Sequence, residues 1–268
     1  MSKHTVTVHI TGPIATITLN RPKSYNALTR EDYDDLGEAL RTIDKRDDVL
    51  VTVWQAYGKY FCAGTDVGAS GSGVAKTERQ YFIEGAVRSN TDIGHALYTH
   101  SKILVAALNG PVLGIAAAFL GHFDFIYALP NVWLAVPFTY LGLVSEAGSS
   151  ITFAERLGVT RAKEALLFGK KFTADDLEKA RFINKIFPEQ SAESFHDAIR
   201  AHLLEELRGL DPKALLKTKA LIKAGSSERN SPEAANLRES YAQAAQFVTK
   251  VPQTRFGQLA RKEIRHKL

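Results

Sequence analysis

Two short segments of small residues stand where main chain, rather than side chains, could do chemistry. The first is Phe61-Cys62-Ala63-Gly64-Thr65-Asp66-Val67, in which a strand and loop end in residues small enough to let backbone approach a ligand closely. The second is Asn109-Gly110-Pro111-Val112-Leu113-Gly114-Ile115-Ala116-Ala117-Ala118, a Gly-Pro turn that leads into an alanine-rich helix. The first N–H groups of such a helix have no internal acceptor and attract negative charge. If the N–H of Thr65 and that of Ile115 converge, they form an oxyanion hole, in which each donor is worth roughly 3–4 kcal/mol to a transition state that builds charge on oxygen. Taken singly, each segment reads more readily as tight packing. Their combination and order point to chemistry.

The other polar candidates read as structural. Asp66, following Gly-Thr at a loop start, is expected to order the turn through its own backbone bonds. His100 and His122 are isolated and expected to be satisfied core or surface groups, and the pair His4 and His9 near the N-terminus does not suggest a metal site. One cysteine, Cys62, excludes an internal disulfide and a Cys-based zinc cluster and fits a reducing or organellar interior. Gly68, Gly71 and Gly73 do not make a dinucleotide fingerprint, which needs its glycines in a tight turn between an early strand and a helix.

The elements that must position these groups follow an α/β pattern. Val6 to Ile10 and Ile14 to Leu19 alternate partly with period two around Thr11-Gly12-Pro13 and read as a hairpin. Thr29 with Asp32 three residues on is a capping signal, and Leu36, Leu40 and Ile43 continue it as a helix over residues 30–46. The runs 49–54 and 103–107 are buried strands by their branched and apolar content. Residues 64–75, rich in glycine and poor in apolar groups, are expected to form a mobile loop. From about residue 190 the pattern turns helical, with segments at 192–208, 212–224 and 232–249. The expected organisation is a core over 1–190 and a helical region over 191–268, packed on that core or on a neighbouring subunit.

At 268 residues, 45% hydrophobic and 24% charged, the chain can bury a sizeable core. No run approaches the roughly 20 apolar residues of a membrane span, and the start lacks the apolar stretch of a secretory signal, so a soluble, non-secreted protein without a membrane span is expected. The net charge of +5 favours an anionic partner. Its densest basic cluster, 261–267, is a terminal tail without interleaved aromatics, which argues against nucleic acid.

The two segments, about 45 residues apart and preceded by Leu19-Asn20-Arg21-Pro22-Lys23-Ser24-Tyr25-Asn26-Ala27-Leu28, resemble the enoyl-CoA hydratase/isomerase (crotonase) superfamily over nearly the whole chain. The resemblance implies a spiral of ββα units followed by a helical trimerisation region, a homotrimer or homohexamer, and Thr65 and Ile115 as the oxyanion donors. It also implies an acyl-CoA thioester substrate, with coenzyme A as part of the substrate and no separate cofactor or metal. Lys23 is then a candidate phosphate contact, and Ala63, Gly64, Thr65, Asp66 and Val67 line the coenzyme A. Family hydratases carry a pair of glutamates at positions that are Ala118 and Phe138 in this chain, which makes water addition doubtful. The stretch Pro137-Phe138-Thr139-Tyr140-Leu141-Gly142-Leu143-Val144-Ser145-Glu146-Ala147-Gly148-Ser149-Ser150 instead resembles the peroxisomal type of Δ3,Δ2-enoyl-CoA isomerase, in which the glutamate at the position of Glu146 is the base. Asn90 matches an asparagine that contacts this glutamate in some similar isomerases, and reads equally as a surface residue of a helix.

The resemblance thus implies transfer of a proton from C2 to C4 of a 3-enoyl thioester in the oxidation of unsaturated fatty acids. Three alternatives stand beside it. Glu146 could cap the helix that begins near Gly148; the chain could hydrolyse a thioester or run another crotonase-type reaction; or it could be a non-catalytic relative that binds coenzyme A or RNA. The ending His266-Lys267-Leu268 resembles the Ser-Lys-Leu peroxisomal address with His in place of the small first residue. Peroxisomal import through its receptor is expected, with the cytoplasm as the alternative.

Overall fold

The computed structural model of the protein describes residues 5–66 and 77–266. The chain opens with the hairpin β1 (Val6–Thr11) and β2 (Ile14–Leu19), paired antiparallel from Val6 opposite Leu19 to Thr11 opposite Ile14. Helix α1 (Arg30–Asp44) follows, and its start is the expected reciprocal cap: Thr29 Oγ1 accepts from Asp32 N–H while Asp32 accepts from Thr29 N–H. Next come β3 (Val51–Ala56), α2 (Glu78–Tyr81), a π-helix (Phe82–Asp92), α3 (Ile93–Thr99), β4 (Ile103–Leu108), β5 (Val112–Leu113) and α4 (Gly114–Phe119). The middle of the chain contains β6 (Phe125–Ala128), β7 (Trp133–Ala135), α5 (Ser149–Leu157), α6 (Val159–Phe168), β8 (Phe172–Thr173), α7 (Ala174–Lys179) and β9 (Lys185–Ile186). The last elements are α8 (Ala192–Glu206), α9 (Pro212–Ser227), α10 (Pro232–Val248) and α11 (Val251–Ala260).

Six strands form one sheet in the order β1-β2-β3-β4-β6-β9, parallel throughout except for the opening hairpin. A second sheet of three short strands, β5-β7-β8, carries the Asn109 segment onward. Strand alternation sorts the large sheet into two cores. Trp54, Leu104, Ala106, Leu108 and Ile126 face α1, α4 and α5, where they meet Leu36, Leu40, Ile43, Phe119 and Phe153. Val51, Val53, Ile103, Val105, Ala107 and Tyr127 face the other way and are covered by Phe195, Ile199 and Leu203 of α8. β4 is buried along its whole length, as its uniformly apolar sequence requires.

The late helices are sharply started. Ser191, Asp211 and Ser231 each cap with a side-chain oxygen, and Pro212 and Pro232 occupy the first helical position, where a missing N–H costs nothing. α11, which the apolar pattern alone does not suggest, begins after Lys250 in a left-handed conformation, with Pro252 in its first turn. α10 folds back onto the π-helix and the start of α5 of its own chain. Of the stretch expected to be a mobile loop, residues 67–75 lie outside the described residues, as do Val67 itself, Lys267 and Leu268. No described helix is long and apolar enough to cross a membrane.

Candidate active site

The two small-residue segments meet. Cys62 and Val112 form an isolated parallel bridge, in which Leu113 N–H donates to Cys62 O at 2.9 Å and Phe61 N–H to Pro111 O at 3.0 Å. A second bridge joins Leu28 to Thr65, with Leu28 N–H on Gly64 O and Asp66 N–H on Leu28 O, both at 2.8 Å. These bonds use the Gly64 carbonyl and the Asp66 N–H, the groups on either side of Thr65. The Thr65 N–H itself, and that of Ile115 at the second position of α4, have no acceptor among the described residues. Gly64 (φ +87°) and Gly114 (φ +58°) sit back to back, and a Cβ on Gly64 would lie 3.1 Å from Leu113 O. The approach of the two segments therefore depends on glycine backbone. Cys62 is buried in this junction, with its Sγ donating to Asn26 O at 3.0 Å, and burial pushes the thiol up to about 12.

The residues expected along coenzyme A surround this junction unevenly. Ala63 N–H is taken by Tyr25 O at 3.0 Å, which brings the Pro22–Ser24 turn, with exposed Lys23, alongside the segment. Gly64 is buried, Thr65 is exposed and Asp66 is half-buried. Asp66 makes an ion pair beyond its own turn. Its carboxylate pairs with Arg21 Nη2 at 3.0 Å, and Arg21 also donates to Ala27 O at 2.7 Å, so the ion pair ties the Leu19–Leu28 stretch to the first segment.

Glu146 lies in the turn before α5, where Ala147 and Gly148 both take left-handed conformations (φ 56° and 72°). It is 7% exposed, and burial raises its carboxyl to about 8; a hydrogen bond donated by Gln243 opposes the rise, and the charge of Glu239 adds to it. Gln243 Nε2 donates to Glu146 Oε1, while Gln243 Oε1 accepts from Val144 N–H at 3.1 Å. The second carboxylate oxygen of Glu146 has no hydrogen-bond partner among the described residues.

The structure removes one alternative at this turn and corrects one expectation. Glu146 does not cap α5 with its side chain. Glu239 of α10 does so, accepting from Gly148 N–H at 2.6 Å and Ser150 N–H at 2.9 Å. Asn90 is buried beside the turn but makes no hydrogen bond to the Glu146 carboxylate. Its Oδ1 accepts from Ala147 N–H and its Nδ2 donates to Ser240 Oγ at 2.7 Å, so it fixes the backbone one residue further on. The π-helix that carries Asn90 is an uncommon element, frequent at functional sites. His122 also supports this turn, donating from Nε2 to Ala147 O at 2.6 Å, and burial lowers its imidazole to about 4. His100 is a core group, 2.8 Å from Thr52 Oγ1.

Tyr33 connects the two halves of the site. Its hydroxyl is 2.7 Å from Thr65 Oγ1, and burial, reinforced by the nearby charge of Glu146, holds the phenol well above its usual range. One phenol is thus bonded to the first segment and within electrostatic reach of the carboxylate. Ala118 and Phe138, at the positions of the hydratase glutamates, are buried and apolar. Tyr33, Glu239, Ser240 and Gln243 were not singled out from the sequence. Tyr33 opens the buried stripe of α1 at three and seven residues before Leu36 and Leu40, a signal that was available. The α10 residues carried none, since polar side chains at helical spacing read as a solvated face.

A ββα core with two glycine-backed N–H segments at its centre defines a class: residues 9–255 match the family model for enoyl-CoA hydratase/isomerase, and the chain belongs to that family. It is similar to the Δ(3,5)-Δ(2,4)-dienoyl-CoA isomerase of Pyricularia oryzae, 38% identical over 277 residues covering 98% of each chain. The 3,2-trans-enoyl-CoA isomerase of Saccharomyces cerevisiae is 33% identical, over 98% of this chain and 96% of that one. Among solved structures, an enoyl-CoA hydratase/isomerase from Pseudoalteromonas atlantica matches with a TM-score of 0.82 at 25% identity, covering 98% of this chain and all of the other.

Proposed function

We propose that the protein isomerises 3-enoyl-CoA to 2-enoyl-CoA in the oxidation of unsaturated fatty acids. Glu146 takes a proton from C2 of the bound thioester, and the electron pair moves onto the thioester oxygen as a dienolate. The Thr65 and Ile115 N–H groups hold that oxygen. The protonated carboxyl then delivers the proton to C4 as the double bond re-forms between C2 and C3. One base serves both steps, because C2 and C4 lie on the same short stretch of acyl chain. The observation that carries this reading is the buried Glu146 carboxylate, with one oxygen unoccupied among the described residues, where apolar Ala118 and Phe138 replace the hydratase acids. An apolar surround also disfavours addition of water to the product.

A second reading, supported by the name of the Pyricularia relative, is that the same base acts on a 3,5-dienoyl-CoA and returns the proton at C6. The two are separated by ultraviolet absorbance with each substrate in turn. Conversion of 3-enoyl-CoA that disappears in Glu146→Gln while coenzyme A ester binding persists supports the first. Conversion of the dienoyl ester alone supports the second, and conversion of neither sinks both. Lys23 and the 63–67 segment would meet the coenzyme A part of the substrate. Assembly as a trimer or a pair of trimers belongs to this reading, supported by the exposed Leu221 and Ile222 of α9. So does residence in the peroxisome, supported by the name of a mouse relative, Enoyl-CoA delta isomerase 3, peroxisomal.

A further inference from the structure

We propose that Gln243 is a positioning residue of the active site: it occupies Oε1 of Glu146 and leaves Oε2 as the oxygen that takes and returns the proton. The inference rests on Glu146 being the base of the reaction above. Gln243 projects from α10, 97 residues further along the chain, and is 2% exposed. Its amide can be oriented only one way. The Val144 N–H is a donor and must meet Gln243 Oε1, so the NH₂ end is the end that faces Glu146. One side chain thereby holds both the backbone two residues before the base and the base itself.

The rest of the turn is held from the same helix. Glu239 accepts from Gly148 and Ser150, and Ser240 accepts from the Nδ2 of Asn90, whose Oδ1 receives the Ala147 N–H. Four backbone donors between Val144 and Ser150 thus end, directly or through Asn90, on α10. A carboxylate free at both oxygens can swing and present either of them. Pinned at Oε1, it presents one atom along a fixed arc, as a shift between neighbouring carbons requires. The same donor favours the ionised form, the form that can accept a proton. The other titratable groups facing Glu146 cannot replace it. Glu239 on α10 is an acceptor engaged with two N–H groups, the Tyr33 hydroxyl on α1 is bonded to Thr65, and His122 is bonded to Ala147 O.

The test compares Gln243→Leu, which removes both contacts, with Gln243→Glu, which keeps the size and the acceptor for Val144 but replaces the donor. Steady-state kinetics with 3-enoyl-CoA across pH should show kcat lower by about 10- to 100-fold with KM changed little. The midpoint of kcat/KM should move to higher pH in both variants. In parallel, the Glu146 carboxyl is titrated by infrared difference spectroscopy, with the matching Glu146→Gln protein as the blank, and its midpoint should rise. Folded variants with lower thermal stability but unmoved midpoints would make Gln243 merely structural and overturn the proposal. If Gln243→Leu does not fold, Gln243→Glu decides alone. If the natural chain converts no 3-enoyl-CoA, the functional reading falls and the infrared titration still decides: a raised midpoint upholds the control of Glu146 by Gln243, and an unmoved one refutes it.

Discussion

α8 and α10 are helices of 15 and 17 residues that bury opposite kinds of face. α8 turns Phe195, Ile199 and Leu203 onto the large sheet, the ordinary arrangement for a helix covering a core. α10 buries Asn236, Glu239, Ser240 and Gln243, while Leu237, Tyr241 and Val248 are exposed. A buried polar face is costly unless its groups are bonded. On α10 that cost is offset because the turn around Glu146 presents N–H groups that need acceptors. One helix stabilises the fold by excluding water; the other fixes a loop by supplying hydrogen bonds.

The comparison is sharpened first at Glu146 itself. Glu146→Gln should lower kcat by roughly 10⁴-fold with coenzyme A ester affinity retained, measured by absorbance kinetics and equilibrium binding. The natural chain's kcat/KM should rise with pH to a midpoint near 8, because the base must be ionised. Stability should run the other way. The folded carboxyl titrates near 8 against an ordinary 4.5, so its contribution to stability is full below pH 4.5 and lost as pH rises through 8. The loss is on the order of 5 kcal/mol, since each tenfold change in proton affinity corresponds to about 1.36 kcal/mol. Glu146→Gln, which cannot ionise, should therefore be the more stable protein at pH 9 in denaturant titrations. Equal stability of the two at pH 9 would contradict the burial argument.

Ile199→Ala on α8 should cost about 2–5 kcal/mol in unfolding free energy and leave the pH midpoint of activity where it was. Glu239→Gln on α10 should cost less, about 1–3 kcal/mol, because one acceptor is lost at the start of α5. It should also move the activity midpoint to lower pH, since a charge that raises the Glu146 carboxyl is gone. An Ile199→Ala protein with a shifted midpoint, or a Glu239→Gln protein without one, would erase the distinction between the helices. The smallest effect belongs to the outward face of α10, where Leu237→Ser should change the stability of the single chain by no more than about 0.5 kcal/mol.

The same contrast explains what could be read in advance. The opening hairpin, the Thr29 cap, the strands around residues 51–56 and 103–108, and α8 all follow from local patterns of apolar residues and capping groups. The convergence of the 61–66 and 109–118 segments is what the family resemblance implies; the glycine, proline and alanine of each segment alone read as tight packing. Asp66 and Asn90 stand out in the sequence, but their partners do not, because Arg21 and Ser240 reach them only through the tertiary fold. The short strands β5, β7 and β8 are too brief for periodicity to register. α10 is legible as a helix but not as part of the site, since nothing in a polar stripe tells whether water or a loop lies against it.

Cys62 has a further consequence. Oxidants attack thiolates, and a thiol held near 12 ionises to a fraction on the order of 10⁻⁵ at neutral pH. The only sulfhydryl of the chain is sealed between two glycine-backed segments and bonded to Asn26 O. The folded protein is therefore expected to resist hydrogen peroxide and thiol-alkylating reagents that would modify the unfolded chain, so the centre of this junction is insulated from redox chemistry by the same close packing that joins the two segments.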